Sequence, residues 1–263
     1  MTPDDFFRGL RSGGGQAIPC LRLLRLTADY FDGLRTEVMT LVRTQAASDV
    51  RDAAHVTNWT RPRGSVRQFS LFNASGRFDD FSTDHDGSCF GKRFHNGTAY
   101  PAIARFIDGF PHAVNFRMNV MGPGGRLAPH EENVFIRTQA GSIGARVRCH
   151  LPVVTNDLAE LMLDGGIYHL EPGIIYFVNH GCVHSARNGG AEDRIHLVWD
   201  MLLTRDAFEL MFGVLVPDFS AIRIPAGEQT PQPVRIERTG AWLRLPRMEP
   251  QSETGELAWC EVQ

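Results

Sequence analysis

With 263 residues, 43% of them hydrophobic and 22% charged, the sequence has the make-up of a globular protein with room for one large domain or two small ones. A formal net charge of −3 without a long run of one sign excludes a basic nucleic-acid stripe or a basic membrane face, and no apolar stretch approaches a membrane span. Cys20, Cys89, Cys149, Cys182 and Cys260 form no CxxC pair, so neither a disulfide framework nor a zinc knuckle is indicated. The acidic opening "MTPDDFFRGL" lacks the basic-then-apolar layout of a secretory signal. The expected setting is a reducing cytoplasm, where the N-x-S/T matches at 58, 73 and 96 carry no meaning.

In chain order, "GGG" at 13–15 reads as a turn or loose loop, and "IPCLRLLRL" at 18–26 as an opening strand. Thr27 or Asp29 then caps a helix that sets Phe31, Leu34, Val38, Leu41 and Val42 on one face. Residues 46–92, rich in Asp, Ser, Arg and Gly, read as loops and short strands that include a lid. "AYPAIARFIDGF" reads as a short helix ended by Gly109. From about 112 short alternating or apolar runs follow one another, divided by strong turn signals. Their length and density predict an antiparallel barrel or jelly roll. A capped helix follows from Thr204 to Gly213, then a Pro-rich tail. The expectation is one domain over 1–263: helices and loops at 1–111, a β core at 112–202, and a helix with an extension at 203–263.

The chemistry-bearing residues lie in the β core. On a strand, His130 and Glu132 of "LAPHEEN" share a face while Glu131 points away. Alone, such a pair is an ordinary polar edge. His184, in "NHGCVHSARN", adds a second imidazole from a strand able to fold back beside the first. Two histidines and one carboxylate make a facial triad with open positions, which suits non-haem Fe(II). His180 stands four residues before His184, as in a helical zinc pair, but Gly181 and the adjoining turn argue against a helix. Arg194 opens the apolar run "RIHLVWDM". An inward arginine there needs an anion, and its planar fork fits a carboxylate; the alternative is pairing with Glu192 or Asp193. "RVRCHLPV" sets Arg148 and His150 on one face of a strand, again a basic pair that asks for an anion unless the face is solvated. A 2-oxo dicarboxylate fits these pieces, with its keto-acid end on the metal and its distal carboxylate on a cation.

In order and residues, "LAPHEEN", "RVRCHLPV", "EPG", "VHSARN" and "RIHLVWD" resemble the aspartyl/asparaginyl β-hydroxylase family of Fe(II)/2-oxoglutarate dioxygenases, which includes bacterial hydroxylases of free amino acids such as proline. The resemblance covers about 112–202. It implies a mainly β fold, a double-stranded β-helix of jelly-roll or cupin type, with flanking N-terminal helices. It also implies iron on His130 and His184, the distal carboxylate of 2-oxoglutarate on Arg194, and help from Arg148 and His150 at the end near the metal. Two departures stand out. The carboxylate is Glu132, where small-molecule relatives usually carry Asp and animal residue-modifying members carry none. The stretch between His130 and Arg148 also holds an extra "RTQAGSIGA" segment, read as a loop at the substrate mouth.

The expected function is hydroxylation of an unactivated C–H in a free amino acid or small derivative, with Fe(II), 2-oxoglutarate and O2, and with no nucleic-acid or membrane partner. Alternatives are a hydroxylase of Asp or Asn residues in a peptide, a non-catalytic cupin-like binding protein, and a zinc hydrolase on the same three residues. Glu132 argues against halogenation, which leaves the carboxylate position to chloride. For the substrate, the loops at 61–98 and Arg137, by proximity alone, are the candidates.

Overall fold

The computed structural model describes residues 1–10, 17–45, 48–49, 59–60, 66–84, 87–137, 143–214, 217, 219–237 and 259–260. In chain order they form α1 (Pro3–Leu10), β1 (Cys20–Leu26), α2 (Ala28–Thr44), β2 (Ser48–Asp49), β3 (Trp59–Thr60), β4 (Val66–Ser70), α3 (Pro101–Asp108), β5 (Ala113–Met121), β6 (Arg126–His130), β7 (Phe135–Arg137), β8 (Ile143–Val154), β9 (Ala159–Leu163), β10 (Gly166–Tyr168), β11 (Ile174–Val178), β12 (His184–Asn188), β13 (Arg194–Leu202), α4 (Arg205–Phe212), β14 (Ala221–Arg223) and β15 (Arg235–Ile236). The "GGG" turn and the centre of the "RTQAGSIGA" segment lie outside the described residues, as do parts of the expected lid.

Two antiparallel sheets face each other. The larger runs β14-β1-β11-β8-β13-β5-β4-β2, with β7 on β8, and the smaller runs β15-β10-β9-β12-β6-β3. Strands that neighbour one another in space are distant in sequence, β12 on β6 and β8 on β13 among them, as in the expected double-stranded β-helix. The β core is wider than 112–202. β1, β4 and β14 extend the large sheet and β15 the small one, because an open barrel edge finds partners among any unpaired strands nearby.

The central strand β13 is buried along its whole length and shows why the molecule has two interiors. Its side chains alternate between faces. Ile195, Leu197, Trp199 and Met201 belong to the large apolar core, with Leu34, Val38 and Leu41 of α2, Ile103, Phe106 and Ile107 of α3, Phe208 and Met211 of α4, and Phe6 and Leu10 of α1. Each such side chain stabilises the fold by about 1.5–3 kcal/mol when fully buried. Trp199 stacks on Phe116 with ring centroids 5.0 Å apart. The other face of β13 carries Arg194, His196, Val198 and Asp200, opposite Pro152, His150 and Arg148 of β8 and Asn119, Arg117 and Asn115 of β5. Part of the space between the sheets is filled by a second apolar cluster that includes Leu161, Leu163, Tyr168, Tyr176 and Val178. The remainder is polar.

The helix signals hold locally. Thr27 is the N-cap of α2, without a side-chain cap bond. Gly109 ends α3, and the Thr204 hydroxyl accepts from the Ala207 amide at the start of α4. The α1 helix was not expected. Its eight residues carry Phe6 and Leu10 into the core. The "EPG" turn is closed by Gly173 at φ +75°, which a residue with a Cβ rarely adopts. Its amide donates to Pro152 and its carbonyl accepts from Leu26, so the turn ties β1 to β8.

Candidate metal centre and anion pocket

The small sheet supplies the two histidines. In the β6–β12 pairing His130 and His184 stand directly opposite each other, and their rings lie 4.1 Å apart between centroids. Nδ1 of His184 lies 2.9 Å from the Cys182 carbonyl. A carbonyl only accepts, so that nitrogen carries the proton and Nε2 keeps its lone pair. Burial, aided by neighbouring His130, pushes the His184 pKa down to about 3, so the ring stays neutral and able to ligate.

Glu132 joins them, though not by strand parity. β6 ends at His130, and residues 131–134 are in no strand. A bond from the Glu132 amide to the His180 carbonyl, 2.9 Å, fixes its backbone instead. Oε1 then lies 3.8 Å from Nε2 of His130 and 3.9 Å from Nε2 of His184. One ligand atom from each of the three residues lies within 4.8 Å of the others. Two imidazoles and a carboxylate form a donor set that suits non-haem Fe(II). The three residues singled out in the sequence therefore meet, and the residues fit the metal.

Arg148, from the large sheet, is fully engaged. Its NH1 and NH2 donate to Oε1 and Oε2 of Glu132 at 2.6 and 3.0 Å, and its Nε and NH2 to the two oxygens of Asp200 at 2.8 and 3.0 Å. Burial alone would raise the Glu132 carboxyl, but the charge of Arg148, aided by neighbouring His130, holds it well below the usual range. Asp200 is held down in the same way, against burial, by Arg148 and then Arg146. Arg146 makes longer contacts, 3.4 Å to Glu132 and 3.6 Å to Asp200. Two cations and two carboxylates thus form a balanced cluster. This corrects the expectation that Arg148 is a cation in need of an external anion.

Arg194 is the contrast. It is 5% exposed, and its only hydrogen bond among the described residues goes to Nδ1 of His196, 3.0 Å away. No carboxylate lies within ion-pair distance of it among the described residues. Asp193, its proposed neighbour partner, pairs with Arg67 instead. Burial pushes the Arg194 pKa down to about 10. His196 and His150 are held neutral beside it, by burial and then by the charge of Arg194. Nε2 of His196 and Nδ1 of His150 are buried without a hydrogen-bond partner. A buried cation beside unfilled polar nitrogens, on the large sheet across from the β6–β12 pair that carries the two histidines, is an arrangement that an anion would complete.

Sequence reasoning missed several residues here. Asp200, His196 and Arg146 could have been found, since each lies at period two from an arginine already singled out. His180 was considered only as a helical ligand. It lies in a turn, 1% exposed, with neither ring nitrogen hydrogen-bonded, near Arg148, Glu132, Asp200 and Arg146. Asp84 had no signal. It reaches from the 71–100 loop into the barrel, pairs with Arg117, and its carbonyl accepts from Asn115, which also donates to Asp200 at 2.9 Å. The Arg137 side chain lies outside the described residues.

Fold and site together define a double-stranded β-helix protein whose barrel interior carries a three-residue metal-donor set and a buried arginine with no ion-pair partner among the described residues. The model of the aspartyl/asparaginyl β-hydroxylase family matches residues 31–203, more than half of the chain, and the chain belongs to that family. It is accordingly a non-haem Fe(II), 2-oxoglutarate-dependent hydroxylase. No curated protein matches the sequence. Among solved structures, HygX from Streptomyces hygroscopicus with nickel, 2-oxoglutarate and hygromycin B bound is 9% identical over 84% of this chain and 98% of its own, with a TM-score of 0.45. The 2-oxoglutarate-dependent epimerase SnoN from nogalamycin biosynthesis is 13% identical over 90% and 99%, TM-score 0.45. A 2-oxoglutarate–Fe(II) oxygenase-family oxidoreductase from Burkholderia pseudomallei is 12% identical over 66% and 89%, TM-score 0.40. Likeness at this level lends no residue roles. Among the described residues no helix is long and apolar enough to cross a membrane.

Proposed function

We propose that the chain hydroxylates an sp3 carbon of a free amino acid or a small amino-acid derivative. In this reading His130, Glu132 and His184 hold Fe(II), Arg194 holds the distal carboxylate of 2-oxoglutarate, and His150 and His196 line the space between. The observation that supports the co-substrate assignment is the Arg194 cation, buried on the large sheet without a counter-ion among the described residues. When bound, iron with 2-oxoglutarate and O2 supplies the oxidation: the oxo acid becomes succinate and CO2, one oxygen atom enters succinate and the other enters the substrate C–H bond.

The protein's own contribution is placement. Arg194 anchors one end of the co-substrate by a charge-assisted fork, and the neutral His196 keeps that fork aimed. His184, fixed by the Cys182 carbonyl, presents a lone pair rather than a proton. The large apolar core behind β13 holds the strand bearing Arg194 and Asp200 rigid, so the donors and the anion pocket keep their separation.

The substrate reading rests on the carboxylate in the Glu132 position, the kind of ligand that small-molecule relatives carry there. Its test is a screen of free amino acids, simple conjugates and Asp- or Asn-containing peptides with the Fe(II)-loaded protein and 2-oxoglutarate, reading succinate and a one-oxygen mass gain. Substrate-dependent succinate from a free amino acid or conjugate is expected. Turnover of an Asp or Asn peptide alone would replace this reading with residue hydroxylation.

A further inference from the structure

We propose that Arg146 and Arg148 form a second, latent carboxylate site beside the metal centre, and that Glu132 is its built-in occupant. This goes beyond the proposed function and rests on it only for the metal.

Each of the two Glu132 oxygens meets a different nitrogen of the Arg148 fork, at 2.6 and 3.0 Å, and Oε2 also lies 3.4 Å from Arg146. That is the geometry in which a guanidinium recognises a free carboxylate. The cradle does not depend on Glu132 for its shape. Both arginines sit on one face of β8: Arg148 is buried between β11 and β13, and Arg146, half-buried, lies opposite Leu202 of β13 with its amide bonded to the Val134 carbonyl. Asp200 holds Arg148 from the far side through Nε and NH2, and Arg146 is also anchored by the Asn133 carbonyl at 3.2 Å. Asp200 is itself fixed, its amide bonded to Asn115 and an oxygen accepting from the Asn115 side chain. Glu132 arrives from a segment outside any strand, and its side chain is 28% exposed, against 9% for Arg148 and none for Asp200. The occupant is therefore the exposed member and the cradle the buried one.

A specificity follows. With the fork filled from within, no cation beside the metal donors remains for an acidic substrate side chain among the described residues, so the group presented there is uncharged. Arg194, at the other end of the face, is the cation left open to an external anion.

Acetate replaces the atoms removed in Glu132→Ala and serves as the probe. The experiment is thermal unfolding of metal-free protein in an Arg194→Met background, so that the other cation gives no response. Acetate is expected to raise Tm saturably in Glu132→Ala and not in the Glu132 parent. Acetamide, of the same shape without the charge, should have no effect, and adding Arg148→Met should abolish the acetate response. Glu132→Ser, which leaves the fork a weak partner, stands in if the Ala protein does not fold. Acetate should also restore Ni(II) affinity that Glu132→Ala lowers by about tenfold or more in the protein with Arg194. No saturable response in either Glu132 variant, or an equal response in the parent, overturns the proposal. Because the unfolding arm uses neither metal nor turnover, it can succeed where the proposed function fails, and the reverse.

Discussion

Arg148 and Arg194 lie on adjacent strands and face the same interior, yet they carry opposite electrostatic loads. Arg148 sits between two carboxylates and makes four charge-assisted hydrogen bonds to them. Arg194 has one neutral histidine. The first arginine holds the site together and the second holds it open. A buried cation without an anion is expensive to fold and persists where a ligand supplies the missing charge, which is why the proposed function puts the distal carboxylate of the co-substrate at Arg194.

The largest expected effect is on stability, where the same substitution should act differently at the two ends. Arg148→Met leaves Glu132 and Asp200 in the interior without their main counter-ion and should cost about 3–5 kcal/mol in denaturant unfolding of the metal-free protein. Arg194→Met removes the uncompensated charge and should leave that stability unchanged or raised. Equal destabilisation by both would erase the contrast. The second effect is on ligand binding. Arg194→Met should raise the 2-oxoglutarate requirement by about a hundredfold or more, the loss of a buried Arg–carboxylate pair, while metal content stays normal. Arg194→Lys should also be poor, since it keeps the charge and loses the fork.

A third effect is a pH dependence. His150 and His196 are held neutral beside Arg194 by burial and by its charge, so their folded-state pKa values lie below the unfolded value of about 6.5. Their contribution to stability is fully present above pH 6.5. Below it the unfolded chain takes up protons that the folded chain refuses, and stability falls with pH. Replacing both with Gln should flatten that limb of a stability–pH curve. The smallest effect is a control: Glu131, outside the donor cluster, should change stability by no more than about 0.5 kcal/mol when replaced by Ala, and leave metal affinity intact, while Glu132→Ala lowers it.

The two ends were not equally legible in the sequence. Arg194 stood out because it opens an apolar run, and His130 and His184 because their strands had to fold together. These are signals of composition and period, which a single strand displays. Asp200 lies in the same run as Arg194, and strand alternation places it on the same face, yet its effect is visible only once β8 brings Arg148 opposite it. Glu132 was chosen over Glu131 by strand parity, whereas its position comes from a hydrogen bond to His180 on another segment. The two-sheet core was expected. Its recruitment of β1, β4 and β14 was not, because edge pairing is a tertiary event. Asp84 reaches the interior from a loop whose sequence carries no periodic pattern at all.

The most direct test of the account is anaerobic addition of 2-oxoglutarate to Fe(II)-loaded protein, followed by visible absorption, in the wild type and in Arg194→Met. The account predicts a weak charge-transfer band in the wild type at modest co-substrate concentration, and its appearance in Arg194→Met only at about a hundredfold more. Absence of the band from wild-type protein shown to hold stoichiometric iron, or the same concentration dependence in both proteins, would contradict it.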